Sequence, residues 1–241
     1  MASFPIFPSP ARRTHRGFLG RAFSGAVFGC AILPALCAFF SAPPDAHAQG
    51  DDARLLGAHI LVIRGDLRRL DEGRLPAAQK KGLRRRITGM LGSLAWQLRL
   101  NDDAPSAPQA RAYAQNWRAP EAKNDLTRWL DALIARHPLD TSPYDPALAR
   151  PQDRAKALAL HNAYCAACHG ATPQDAPPED AAVARPARSL YTMVRNQSRR
   201  EFTARMVSGV RGDRATGLAN PLGNAQIAAL IALYQDAKPH P

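Results

Sequence analysis

Along most of this chain of 241 residues, apolar side chains recur at steps of three and four, the spacing that lines one face of an α-helix. Between Asp51 and Gly73 the stripe is Leu56, Ile60, Ile63, Leu67 and Leu70, opened by two acids and closed by glycine. Pro76 starts a second helix, with Leu83, Ile87, Met90, Leu94 and Leu98 on one face. Arg84, Arg85 and Arg86 lie across its polar side and read as a solvated face rather than a docking patch. After a polar, Pro-containing turn at 101–107, a short helix covers 109–118. A fourth covers 121–137, with Leu126, Trp129, Leu130, Leu133 and Ile134 inward. Residues 49–137 are therefore expected to form an antiparallel helical bundle with its own core, holding all three tryptophans. His59 falls among its apolar neighbours and reads as a core or partly exposed histidine rather than a ligand, and no pair of residues there suggests catalysis.

Residues 138–151 carry Pro138, Pro143, Pro146 and Pro151 among polar residues, the composition of a linker. A second unit, 152–241, opens with a helix running through Leu158, His161 and Tyr164 and ending at Gly170. A Pro- and Asp-rich loop follows to Pro186, then a helix with Leu190, Met193 and Val194. Ser198 and Glu201 have capping-box spacing ahead of a helix that carries Phe202 and Met206 and stops at Gly209. After a loop at 210–223, Asn224 is expected to cap the last helix, whose inner face is Ile227, Leu230, Ile231 and Tyr234. No segment has a strand pattern, so the fold class is all-α.

The N-terminus follows a different plan. Arg12, Arg13, Arg16 and Arg21 precede an apolar stretch from Ala22 to Phe40, and Ala46-His47-Ala48 has the form of a cleavage site. Residues 1–48 are read as a cleaved signal peptide, with an uncleaved membrane anchor as the rival, and the mature chain starts at Gln49 in the periplasm. The spacing after Arg12-Arg13 does not suit twin-arginine export. Residues 1–48 hold 4 of the 32 basic and 1 of the 20 acidic residues. Without them the balance is 28 to 19, or +9. That charge favours a partner with an acidic surface. Nucleic acid is disfavoured by the export signal and the lack of a recognisable binding motif. No stable membrane insertion is expected after cleavage.

Cys30 and Cys37 fall in the leader, which leaves Cys165 and Cys168. They stand in Cys165-Ala166-Ala167-Cys168-His169, the C-x-x-C-H run of c-type haem attachment. Two thiols three residues apart lie near one face of a helical turn, within reach of the two vinyl groups on one haem edge. The next residue offers an imidazole to the iron. A structural zinc site would need a second Cys/His pair, which is missing. A redox dithiol would sit in a βαβ context, also missing. The cofactor expected is one covalent haem c on Cys165 and Cys168, with His169 as its metal ligand.

Residues 150–238 resemble a class I monohaem cytochrome c domain. The resemblance rests on the motif directly after a helix, on Cys165 to Gly170, on the helix from Phe202 to its stop at Gly209, and on the final helix from Ile227 to Tyr234. A cytochrome c′-type bundle would carry its motif close to the C-terminus. The resemblance implies that the first and last helices cross, with Tyr234 the aromatic residue packed at the crossing. His161 stands where the family usually has an aromatic residue, and Ala157 where it usually has glycine. The family's sixth iron ligand is a methionine in the loop before the last helix, yet residues 210–223 contain neither Met nor His. Met206 and Met193 are the nearby thioethers, though both sit on apolar faces, and Asn220, water or no ligand complete the possibilities.

The His169 Nδ1–H should donate to a backbone carbonyl, expected between Pro178 and Pro186. The crevice should be lined by Leu158, Leu190, Val194, Phe202, Ile227 and Leu230. The function implied is single-electron transfer to or from a redox partner, without enzymatic activity. The alternative is binding or sensing of a small ligand such as NO, CO or peroxide at an open sixth site. Peroxidase-like chemistry ranks last, because no distal acid–base residue is evident.

Overall fold

The computed structural model describes residues 50–72, 75–170, 172, 188–209, 220 and 222–237. The leader at 1–48 lies outside them, as does most of the loops at 171–187 and 210–221. Among the described residues every regular element is helical. The helices are α1 (Asp51–Asp71), α2 (Ala77–Leu100), α3 (Ala107–Asn116), α4 (Pro120–Arg136), α5 (Pro151–Tyr164), α6 (Ala166–His169), α7 (Leu190–Asn196), α8 (Arg199–Ser208) and α9 (Asn224–Asp236). None of them is long and apolar enough to cross a membrane.

Helix α1 is central. It packs on α2 and α4 on one side and on α8 on the other, so the apolar stripes of both halves merge into one continuous core. Leu56, Ile60, Ile63 and Leu67 are fully buried, as are Ile87, Leu91, Leu94 and Leu98 of α2. Helix α5 packs on α9, and α7 and α8 also contact α9.

The Pro-rich segment is not a free spacer. It forms two 3-10 turns, Ser142–Tyr144 and Pro146–Leu148, laid against α9, with Leu139 and Tyr144 buried. Proline composition marks a chain that cannot continue a helix, and its apolar residues decide where that chain rests. Gly57 explains part of the fit. A Cβ there would lie 3.0 Å from Leu139 N and 3.1 Å from His137 O, so α1 meets this segment backbone to backbone. Gly89, by contrast, has open space where its Cβ would be. Gly57→Ala should therefore cost about 1–3 kcal/mol by overpacking, whereas Gly89→Ala should gain about 1 kcal/mol of helix propensity. Urea unfolding of the two variants checks this pair of opposite signs.

Two local expectations are corrected. The N-cap of α9 is Gly223, whose N–H donates to Gln226 Oε1 at 2.9 Å. The Asn224 side chain instead accepts from Arg54 at 3.1 Å. At α8, the Ser198 hydroxyl accepts from Glu201 N at 3.2 Å, but the Glu201 carboxylate does not turn back to complete a box. It is buried against α1, paired with Arg68 and with Arg205 at 2.8 Å.

Candidate functional site

The C-x-x-C-H run sits where α5 ends. Cys165 has φ −123° and ψ −39°, outside helical values, which offsets α6 from α5 while the ladder continues through Cys165 N to His161 O at 2.8 Å. Cys168 N and His169 N both reach Cys165 O, at 3.1 and 2.9 Å. Gly170, at φ +82°, ends the turn in a conformation that glycine takes without steric cost. Because of the offset the two thiols do not share one environment. Cys165 is buried toward α9, and Cys168 is exposed. Both are free thiols.

His169 is half-buried, and its Nδ1 lies 2.5 Å from Arg188 O. A carbonyl only accepts, so Nδ1 carries the proton and Nε2 keeps its lone pair. The carbonyl comes from the residue two positions before α7 begins, slightly beyond the expected stretch. Burial holds this imidazole below the ordinary histidine range, with the Arg188 carbonyl acting in the opposite direction. A neutral ring with Nδ1 anchored and Nε2 free is the form that ligates a metal.

Behind the turn lies a polar chain of fixed direction. His161, fully buried, places Nε2 2.8 Å from Gly170 O and Nδ1 3.0 Å from the Tyr234 hydroxyl. Nε2–H must therefore donate to the carbonyl, and the tyrosine O–H donates to Nδ1. The Cys165 thiol is a hydrogen-bond neighbour of the same hydroxyl. Burial pushes the Cys165 thiol up, and burial followed by the neighbouring Cys165 raises Tyr234, so both groups stay protonated. Tyr191 and Phe202 complete the cluster edge-on, with ring centroids 5.0 and 6.0 Å from Tyr234. The packing of α5 on α9 thus brings His161 and Tyr234 together. Tyr191 is a member that the sequence reading missed, although it adjoins the Leu190 stripe.

Other expected site residues divide. Leu190, Phe202, Ile227 and Leu230 are buried and Val194 is partly so. Leu158 is 49% exposed and does not line the site. The buried seam of α5 runs through Ala157 and His161, and Leu158 is one residue, about 100°, around the helix from it. Met193 and Met206 are buried. The Asn220 amide is used as a backbone clasp, donating to Met206 O at 2.7 Å and Val207 O at 3.2 Å and accepting from Leu222 N at 3.0 Å. Among the described residues, no group of three or more His, Cys, Asp or Glu could hold a metal ion. No family model, curated protein or solved structure matches this chain.

Proposed function

We propose that this protein is an exported c-type cytochrome that carries one haem and exchanges single electrons with a partner protein. The observation that carries the reading is the attachment turn. It combines two free thiols three residues apart with a neutral His169 whose Nδ1 is anchored on Arg188 O, leaving Nε2 for iron. The donor set fits the group: Cys165 and Cys168 would bind it covalently, and His169 would ligate its iron. The haem, when bound, supplies one-electron chemistry between ferric and ferrous iron.

The chain's own contribution is to hold His169 in one tautomer, and its buried Leu190, Phe202, Ile227 and Leu230 would supply apolar walls for a bound haem. A water-poor site raises the reduction potential. The balance of +9 that remains without residues 1–48 would draw in an acidic partner surface. The N-terminal helices would serve as a docking or spacer module.

A second reading, reversible binding of a small ligand, is favoured by one observation. Both Asn220 amide protons and one oxygen lone pair are engaged by backbone partners, and residues 210–223 contain neither Met nor His to serve as a sixth ligand. Carbon monoxide added to the reduced holoprotein separates the two: an immediate spectral change supports ligand binding, and none supports electron transfer.

The attachment itself has a direct check. Made with a working cytochrome c maturation system, the protein should gain the mass of one haem that survives acid–acetone extraction. Cys165→Ser and Cys168→Ser should each leave a single thioether, and the double variant should have none. His169→Ala should keep the protein folded but change the iron spectrum. An exported protein of apoprotein mass, colourless under these conditions, refutes the reading.

A further inference from the structure

One helix face is unlike the others. The outward face of α4 mixes both signs, and all its charges but Glu121 are paired, among them Lys123 with Asp71, Arg128 with Asp125 at 2.5 Å, and Asp131 with Arg64 at 2.8 Å. The outward arc of α2 carries Lys81, Arg84, Arg85 and Arg99, all exposed, and no acid occurs anywhere along the helix. None of these four cations has an ion-pair partner among the described residues. Arg86, one position around the helix, is paired with the buried Asp66 and is therefore part of the fold. In the same arc Trp96 is 60% exposed and Leu100 44%, one turn apart. An unpaired cationic row with uncovered indole and leucine side chains is a surface awaiting an anionic, partly apolar counterpart.

We propose that the outer face of α2 is a docking surface for an anionic lipid bilayer. The cations would lie at the phosphate level, with Trp96 and Leu100 seated at the headgroup boundary where indoles are favoured. The alternative counterpart, an acidic protein, fits less well. Specific protein interfaces bury about 800 Å² on each side around a core depleted of charge. Here three of the four cations stand at the N-terminal end of the arc and the two large apolar residues at its C-terminal end beside Arg99, with Gly89 and Gly92 between them, so there is no apolar core to bury. The binding is peripheral, and α2 keeps its inner face in the protein core. The inference is independent of the haem reading, since α2 contributes nothing to the attachment turn.

The test is co-sedimentation of the whole protein with vesicles of phosphatidylglycerol and phosphatidylcholine in equal parts, and with vesicles of phosphatidylcholine alone. The protein should bind the anionic vesicles, release from them as salt is raised, and shift its tryptophan emission to the blue. Replacing Lys81, Arg84 and Arg85 together by Gln should weaken binding by about 100-fold, from about fivefold per cation. Trp96→Gln should abolish the emission shift, whereas Arg128→Gln on α4 should change neither readout. All variants share one N-terminus, so any contribution from residues before Gly50 cancels. Circular dichroism checks that they fold, and the single Trp96 change keeps the test decisive should the triple variant not. Unchanged binding by the triple variant, or equal binding to both vesicle types, overturns the proposal. So does binding to soluble polyglutamate without binding to vesicles, which would favour the acidic protein.

Discussion

Asp66→Ala should lower the unfolding free energy by about 3 kcal/mol, the lower end of the cost of removing one partner from a buried ion network. Asp66 is fully buried on α1. Its carboxylate accepts from Arg86 of α2, including Nε at 2.6 Å, and from Arg205 of α8 at 3.0 Å. Arg205 in turn pairs with Glu201, which also meets Arg68. Three guanidinium groups thus share two buried carboxylates across three helices. When Asp66 is lost, Arg86 can swing toward water, because a third of its side chain is already exposed. Arg205 cannot, and keeps only Glu201. That asymmetry places the cost at about 3 rather than 5 kcal/mol.

The same network makes a second measurement informative. Replacing Asp66, Glu201, Arg86 and Arg205 together by leucine or methionine should restore most of the stability that Asp66→Ala removes, since apolar side chains of similar volume carry no desolvation penalty and the half-exposed Arg68 can turn to water. Linear extrapolation of urea unfolding gives both values. If the single change costs less than about 1 kcal/mol, the network behaves as a surface ion pair and does not hold α1 against α2 and α8.

What was legible in the sequence, and what was not, follows from the range of the interactions. The helices could be read because each stripe is a local repeat: Leu56 to Leu67 and Leu83 to Leu98 went inward as their spacing requires. The C-x-x-C-H turn is legible because its residues are consecutive. The Asp66–Arg205 pair spans 139 positions, and no local pattern announces it. The one available signal was an acid on the flank of a buried stripe, three residues after Ile63. Leu158 stays outside because α5 buries only Ala157 and His161, and which face that is depends on α9 rather than on composition. The Pro-rich segment was read as a linker for a related reason. Proline reports where a helix stops, while the burial of Tyr144 depends on α9, which comes some eighty residues later.

His161→Phe should cost about 2–4 kcal/mol even though a phenyl ring fills nearly the same space, because it leaves two buried polar groups unpaired. The imidazole fastens three elements at once: it grows from α5, donates to Gly170 O at the end of the attachment turn, and accepts from Tyr234 of α9. A phenyl ring would keep the edge-on packing on Tyr191 and Tyr234, worth about 0.5–1.5 kcal/mol per pair, so any loss isolates the hydrogen bonds. His161→Gln restores a donor for Gly170 O and should recover about half of the loss. Stability is read by urea unfolding, and the fraction of chains carrying covalent haem is read by mass. A turn that has lost its bracket should present Cys165 and Cys168 less uniformly, so haem loading should fall with Phe and rise again with Gln. Equal stability and equal loading in all three proteins would mean that the turn is held by its own backbone ladder, and that His161 only fills space where α5 packs on α9.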